Sequence, residues 1–264
     1  PILDLHTIDG DTVIAGPGGA WDLLARRVAA IPAYADAFAE ARPETAARPL
    51  HFADIAEALA AFMAFEWRAD DSPFDRALSG DAPLPPPAAE GMALFYGEAG
   101  CAACHSGRFQ TDHGFHAMAA PQIGPGKAAR YETHARDLGR LRVTGRAEDA
   151  YAFRTPSLRN VALTGPWGHA GAHADLRDFL AHHADPSRPY DRAAAILPPL
   201  DGAQPFRILD DADEQTAILA AAAPGGALTE PQLDALLVFL DSLTDHAGVD
   251  SRLGIPETVP SGLP

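Results

Sequence analysis

The chain has 264 residues, 47% of them hydrophobic and 21% charged, and its 36 acidic against 20 basic side chains give a formal net charge of -16. This composition excludes a disordered chain and allows one or two domains, and the acidic excess repels phosphate backbones, which argues against nucleic acid as a partner. No apolar run reaches the roughly 18 residues that a membrane span needs; even Ile55 to Phe65 is interrupted by Glu57. The first residue is Pro1 and no leader pattern follows it, so a processed product or a fragment is expected.

In chain order, apolar residues recur at spacings of three and four from Ala20 through Leu23, Leu24, Val28 and Ile31 to Phe38. This predicts an amphipathic helix over 20–41 that Pro32 breaks or kinks. His51 to Trp67 carries Phe52, Ile55, Leu59, Phe62 and Phe65 on one side and reads as another helix, with Trp21 and Trp67 expected in the core. Gly80 to Pro87 contains Pro83, Pro85, Pro86 and Pro87 and reads as an extended linker. A domain boundary is therefore expected at 83–87, separating residues 1–82 from 88–264. Beyond it, Ala88 to Ala99 is predicted to be a short helix leading into Cys101, and residues 107–145 to be irregular. Short helices are expected over Pro156–Leu163 and Leu176–His183, and longer ones over Asp211–Ala223 and Glu230–Leu243, the last with Thr229 as N-cap. Alternating strand patterns are nearly absent, so the fold class is mainly α.

Both cysteines of the chain lie in Cys101-Ala102-Ala103-Cys104-His105. Two thiols three residues apart on one helical turn can form thioethers to the two vinyl groups of one haem, and the adjacent His105 is then carried under the iron as its proximal ligand. A dithiol redox pair would be expected beside a strand in a βαβ setting, and a zinc site would need two more ligands at finger-like spacing. Haem c is thus the expected cofactor. For the sixth iron position the residues offer Met63, Met92, Met118 and ten further histidines, and composition does not choose among them.

Further blocks accompany this motif: Gly91 to Phe109, Phe115-His116, Asp137-Leu138-Gly139-Arg140, Phe153 to Asn160, Thr164 to Gly171, and the tail from Val259 to Pro264. In order and spacing they resemble the bacterial di-haem cytochrome c peroxidase and MauG family, strongly from Gly91 to His183 and weakly before Phe74. The resemblance implies a cytochrome c-like haem domain preceded by helices of a truncated first cytochrome c-like domain. Family members carry two haems, one open to peroxide and one six-coordinate that relays electrons. Only the second haem motif is present, so residues 1–82 correspond to the part of the first domain that follows its own haem motif.

The resemblance also implies residue roles. The family's distal ligand lies fourteen residues beyond the His of the Thr-x-Pro-x-x-His-x-Gly block, which from His169 reaches His183; His182 and Met118 are the alternatives. Bis-imidazole ligation by His105 and His183 implies a low potential. On charge chemistry, Arg154 and Arg159 are expected to pair with haem propionates or between domains, since guanidinium compensates carboxylate bidentately, with surface solvation as the alternative. Thr164 and Pro166 match positions whose backbone carbonyls bind calcium. His169 is expected as a hydrogen-bonding residue near the haem, and Trp167 as a haem-lining or core residue. Where the family has a catalytic Glu, this chain has Thr7, which lacks a suitable pKa for proton transfer; His6 and Asp9 are the nearest substitutes.

The function so implied is a haem c oxidoreductase whose segment feeds electrons to a peroxide-reactive haem, in the periplasm. Hydrogen peroxide and a small redox protein or protein substrate would be its partners. A stand-alone mono-haem electron carrier, or a haem-bearing sensor module, are the competing readings. This chain by itself is expected to be inactive as a peroxidase.

Overall fold

The computed structural model describes residues 17–124, 134–197 and 201–262. Two compact units result: the described residues up to Arg68 together with those from Ala247 onward, and Ala69 to His246.

The first unit contains α1 (Ala20–Ala29), α2 (Pro32–Ala41), a 3-10 turn at Pro43–Ala47 and α3 (Phe52–Glu66). The periodic run over 20–41 is realised as two helices because Pro32 occupies the first turn of α2, where its missing N–H would be unpaired anyway. Asp54 caps α3 by accepting the His51 N–H at 2.9 Å, and Arg48 holds both its oxygens at 2.8 Å. Those Arg48 hydrogen bonds outweigh burial and keep the Asp54 carboxyl well below the usual carboxylate range. Trp21, expected in the core, packs on Phe52 with ring centres 4.3 Å apart but is 37% exposed. Trp67, expected in the core, is instead 64% exposed: it follows the last residue of α3 and lies edge-on to Phe62.

The tail is fastened to this unit, not to the haem-motif unit as a boundary at 83–87 implies. Buried Glu66 accepts the Ser251 hydroxyl at 2.6 Å and the Leu253 N–H at 2.9 Å, and Arg252 donates to the Glu66 and Arg68 carbonyls.

The second unit contains α4 (Pro73–Ser79), α5 (Pro86–Tyr96), β1 (Phe115–Ala117), α6 (Leu141–Thr144), β2 (Ala152–Arg154), α7 (Leu176–Ala184), α8 (Ala212–Ala221) and α9 (Glu230–Asp241), with α10 (His246–Val249) starting at its end. The strands pair antiparallel, with His116 opposite Phe153. The core is built by α4, α5 and α9, where Phe239 meets Phe74 at 5.5 Å and Phe95 at 5.0 Å and all three rings are buried. Each such side chain contributes roughly 1.5–3 kcal/mol. Phe74 explains why the compact units part at Arg68, ahead of the Pro-rich stretch. Pro86 and Pro87 do not continue a linker but open α5, the position where proline suits a helix.

Helices α5 and α9 approach so closely that a Cβ on Gly91 would stand 1.9 Å from the Ala235 carbonyl oxygen. Thr229 and Gln232 cap α9 reciprocally. The helix expected over Pro156–Leu163 is reduced to a 3-10 turn at Val161–Leu163. Asn160 interrupts it with φ 59°, its N–H donating to the Leu243 carbonyl and its side-chain oxygen accepting the Asp245 N–H at 2.8 Å.

Candidate functional site

The chain leaves α5 at Gly97, turns through Gly100 with φ +68°, and enters a 3-10 turn at Cys101–Ala103. Both thiols are free and half-buried on this one turn, closed by the His105 N–H donating to the Cys101 carbonyl at 3.0 Å. Burial pushes the Cys101 thiol pKa up, and burial with the Asp112 charge does the same for Cys104. A dithiol redox centre needs the opposite shift. The His105 Nδ1–H donates to the Gln110 carbonyl at 3.2 Å, which fixes the tautomer and leaves Nε2 as the lone-pair nitrogen.

Across from His105 stands His183, near the end of α7, with the two ring centres 6.2 Å apart and their planes at 63°. An imidazole nitrogen bonds a transition metal at about 2.0 Å and lies roughly 1.15 Å from its ring centre, so two imidazoles on one iron have centres about 6.3 Å apart. The observed pair fits a single metal between them. Burial, followed by the facing His105, pushes the His183 pKa down to about 4, so the ring is neutral at physiological pH with a lone pair to offer. His182 is buried, with its ring 5.2 Å from His173. Successive helical residues point about 100° apart, which separates the directions of these two histidines. Met92 packs against the α5/α9 core, Met118 is half-buried just beyond β1, and Met63 belongs to the other unit. The donor set is therefore two thiols, His105 and His183, which would hold a covalently attached haem.

A family model described as di-haem cytochrome c peroxidase matches residues 11–83. The methylamine utilization protein MauG of Methylorubrum extorquens is 38% identical over 165 residues, covering 61% of this chain and 42% of that protein. Cytochrome c551 peroxidase of Pseudomonas aeruginosa is 36% identical over 163 residues, covering 60% and 44%. Among solved structures, a MauG-like protein associated with microbial copper homeostasis matches with a TM-score of 0.66 and 26% identity, over 93% of this chain and 68% of that one. These matches support the di-haem cytochrome c peroxidase and MauG family for this chain. It spans about half the length of the curated relatives it matches.

Arg159 does not stand free for a propionate: its guanidinium grips both oxygens of Asp75 on α4 at 2.7 and 2.8 Å and also donates to the Arg108 carbonyl. It ties α4 to the loop that follows the haem motif. Arg154 donates to His113 Nδ1 at 2.9 Å on the exposed side of β2. Thr164 and Pro166 are exposed, and neither carbonyl accepts a hydrogen bond among the described residues, so both oxygens suit a hard cation. His169 bonds Asp137 at 3.0 Å through Nε2 and stacks on Phe153 at 3.6 Å. The Trp167 indole N–H donates to the Val161 carbonyl at 2.7 Å while its ring packs against the core. Thr7, His6 and Asp9 lie outside the described residues.

Two features escaped sequence reasoning. Gln110 is buried with a left-handed backbone (φ 53°), its side chain accepting from Tyr96 Oη–H at 2.9 Å and donating to the Gly107 carbonyl at 3.1 Å. Its carbonyl orients His105, a main-chain role that leaves no sequence signature. Asp112 and His116 pair at 2.8 Å, with Cys104 close enough to complete a metal-like trio. A thioether at Cys104 removes the thiolate such a trio would need, and the ion pair itself accounts for the proximity.

Proposed function

We propose that this chain carries the electron-relaying haem c of a di-haem peroxidase or MauG-type oxidoreductase, attached at Cys101 and Cys104 and ligated by His105 and His183. The observation that carries the reading is the 6.2 Å separation of two histidine rings, one of them in the attachment motif. When bound, the haem supplies a one-electron ferric/ferrous couple of low potential. The chain's own contribution would be to offer two neutral imidazoles, His105 and His183, as ligands, with Gln110 fixing the His105 tautomer, which would close the metal to peroxide.

On this reading electrons pass to a peroxide-reactive haem that the chain, with one Cys-x-x-Cys-His, does not itself attach. The unit up to Arg68 then belongs to that haem's domain, and the unit from Ala69 to His246 carries the relay haem. A small redox protein would supply electrons, or a protein substrate would be oxidised; the location would be the periplasm, where haem c is attached. A calcium ion would be held through the Thr164 and Pro166 carbonyls. No helix among the described residues is long and apolar enough to cross a membrane.

The test is expression with haem c maturation, followed by acid-acetone extraction and mass measurement of the denatured chain. One haem is expected to stay attached, and Cys101→Ala/Cys104→Ala is expected to lose it. Release of all haem from the wild-type chain would refute the assignment.

A further inference from the structure

The two facing imidazoles are not parallel, and each is held by a different element. His105 is fixed in plane by its Nδ1–H bond to Gln110. His183 has Phe179 one helical turn before it on α7, and their rings stack at 5.2 Å with planes 24° apart. Phe179 in turn meets the edge of His173 at 5.6 Å. His173 is almost fully buried, bonded through Nδ1 to Asp178 at 2.6 Å, and edge-on to Tyr190 at 5.3 Å.

A chain of contacts thus runs from Asp178 through His173 and Phe179 to the distal ring. Rotation of His183 about its Cβ–Cγ bond would break the stack with Phe179, and rotation of Phe179 would drive it into His173. We infer that Phe179 is a positioning residue that locks the His183 imidazole plane steeply across that of His105. It sets the electronic character of the iron without touching it, by the same logic through which outer contacts orient metal ligands.

The consequence is spectroscopic. In a low-spin ferric haem with two imidazoles, parallel rings split the two iron d orbitals that interact with the ligands, whereas strongly crossed rings leave them nearly degenerate. Crossed rings give one very anisotropic low-field resonance in electron paramagnetic resonance, and parallel rings give three resolved rhombic features.

The inference rests on the His105/His183 ligation proposed above, and the experiment separates the two. The full chain with haem attached is oxidised and examined at low temperature, as wild type, Phe179→Tyr and Phe179→Leu. The wild type is expected to show the anisotropic low-field resonance, Phe179→Tyr to keep it, and Phe179→Leu to lose it to rhombic features while the optical spectrum stays low-spin. A rhombic wild type overturns the inference even if Phe179→Leu fails to fold, and so does a folded Phe179→Leu with an unchanged resonance. A high-spin wild type overturns the ligation itself.

Discussion

His105 and Gln110 are joined by a 3.2 Å hydrogen bond from the ring Nδ1–H to a main-chain carbonyl whose residue is buried in a left-handed conformation. Donation to a carbonyl makes the imidazole a stronger electron donor and lowers the potential of the metal it binds. Tyr96→Phe removes the phenol that holds the Gln110 side chain. It is expected to cost about 1 kcal/mol of stability and to shift the midpoint potential upward, which a redox titration of the haem-loaded protein measures.

Asp75 and Arg159 form a bidentate pair with side chains only 16% and 10% exposed. Removing one partner leaves a nearly buried charge, so Arg159→Met is expected to cost about 2–4 kcal/mol, somewhat less than for a fully buried pair. Chemical denaturation checks this.

Burial raises the Asp75 pKa, but the Arg159 and Ser72 hydrogen bonds outweigh it and the net shift is downward. Its contribution to stability is therefore complete above the unfolded carboxylate value of about 3.9 and fades as pH falls through the lower folded value. Asp75→Asn should flatten the acid side of the stability profile while leaving its slope near neutrality unchanged. Urea midpoints measured across that range would show it.

Gly91 permits the contact of α5 with α9, since a methyl group there would overlap the Ala235 carbonyl. Gly91→Ala gains helix propensity worth roughly 1 kcal/mol, yet overpacking against backbone costs more. A net loss of about 1–3 kcal/mol is expected, read as a fall in Tm of roughly 2–12 °C. A rise in Tm would mean that the helices separate freely.

The haem-loaded chain alone is expected to turn over peroxide negligibly, because ligation by both His105 and His183, as proposed, would leave its iron no place for peroxide. Stopped-flow mixing with peroxide and a reduced donor should show no fast oxidation of the haem.

Much of this was legible in the sequence where periodicity is strong and local. The helices α1, α2, α3, α7, α8 and α9 lie close to their apolar repeats, and Pro32 marks the break between the first two. What periodicity could not show was set by contacts remote in sequence or by the main chain. The run after Pro156 has helical spacing, but Asn160 is pinned to Leu243 and Asp245 and turns left-handed. Composition marked a boundary at the prolines, whereas burial of Phe74 on Phe239 draws α4 into the second unit. Charge chemistry offers Arg159 a propionate, but nothing in the sequence shows that Asp75 lies beside it. In the site, the attachment proposed for Cys101, Cys104 and His105 follows from spacing, but the facing of His183 and the orienting carbonyl of Gln110 are tertiary facts.

The ferric and ferrous optical spectra of His183→Ala, beside His182→Ala, test the account most directly. His183→Ala is expected to convert a low-spin haem into a high-spin or water-ligated one, and His182→Ala to leave the low-spin spectrum intact. An unchanged low-spin spectrum in His183→Ala, with haem still attached, would contradict it.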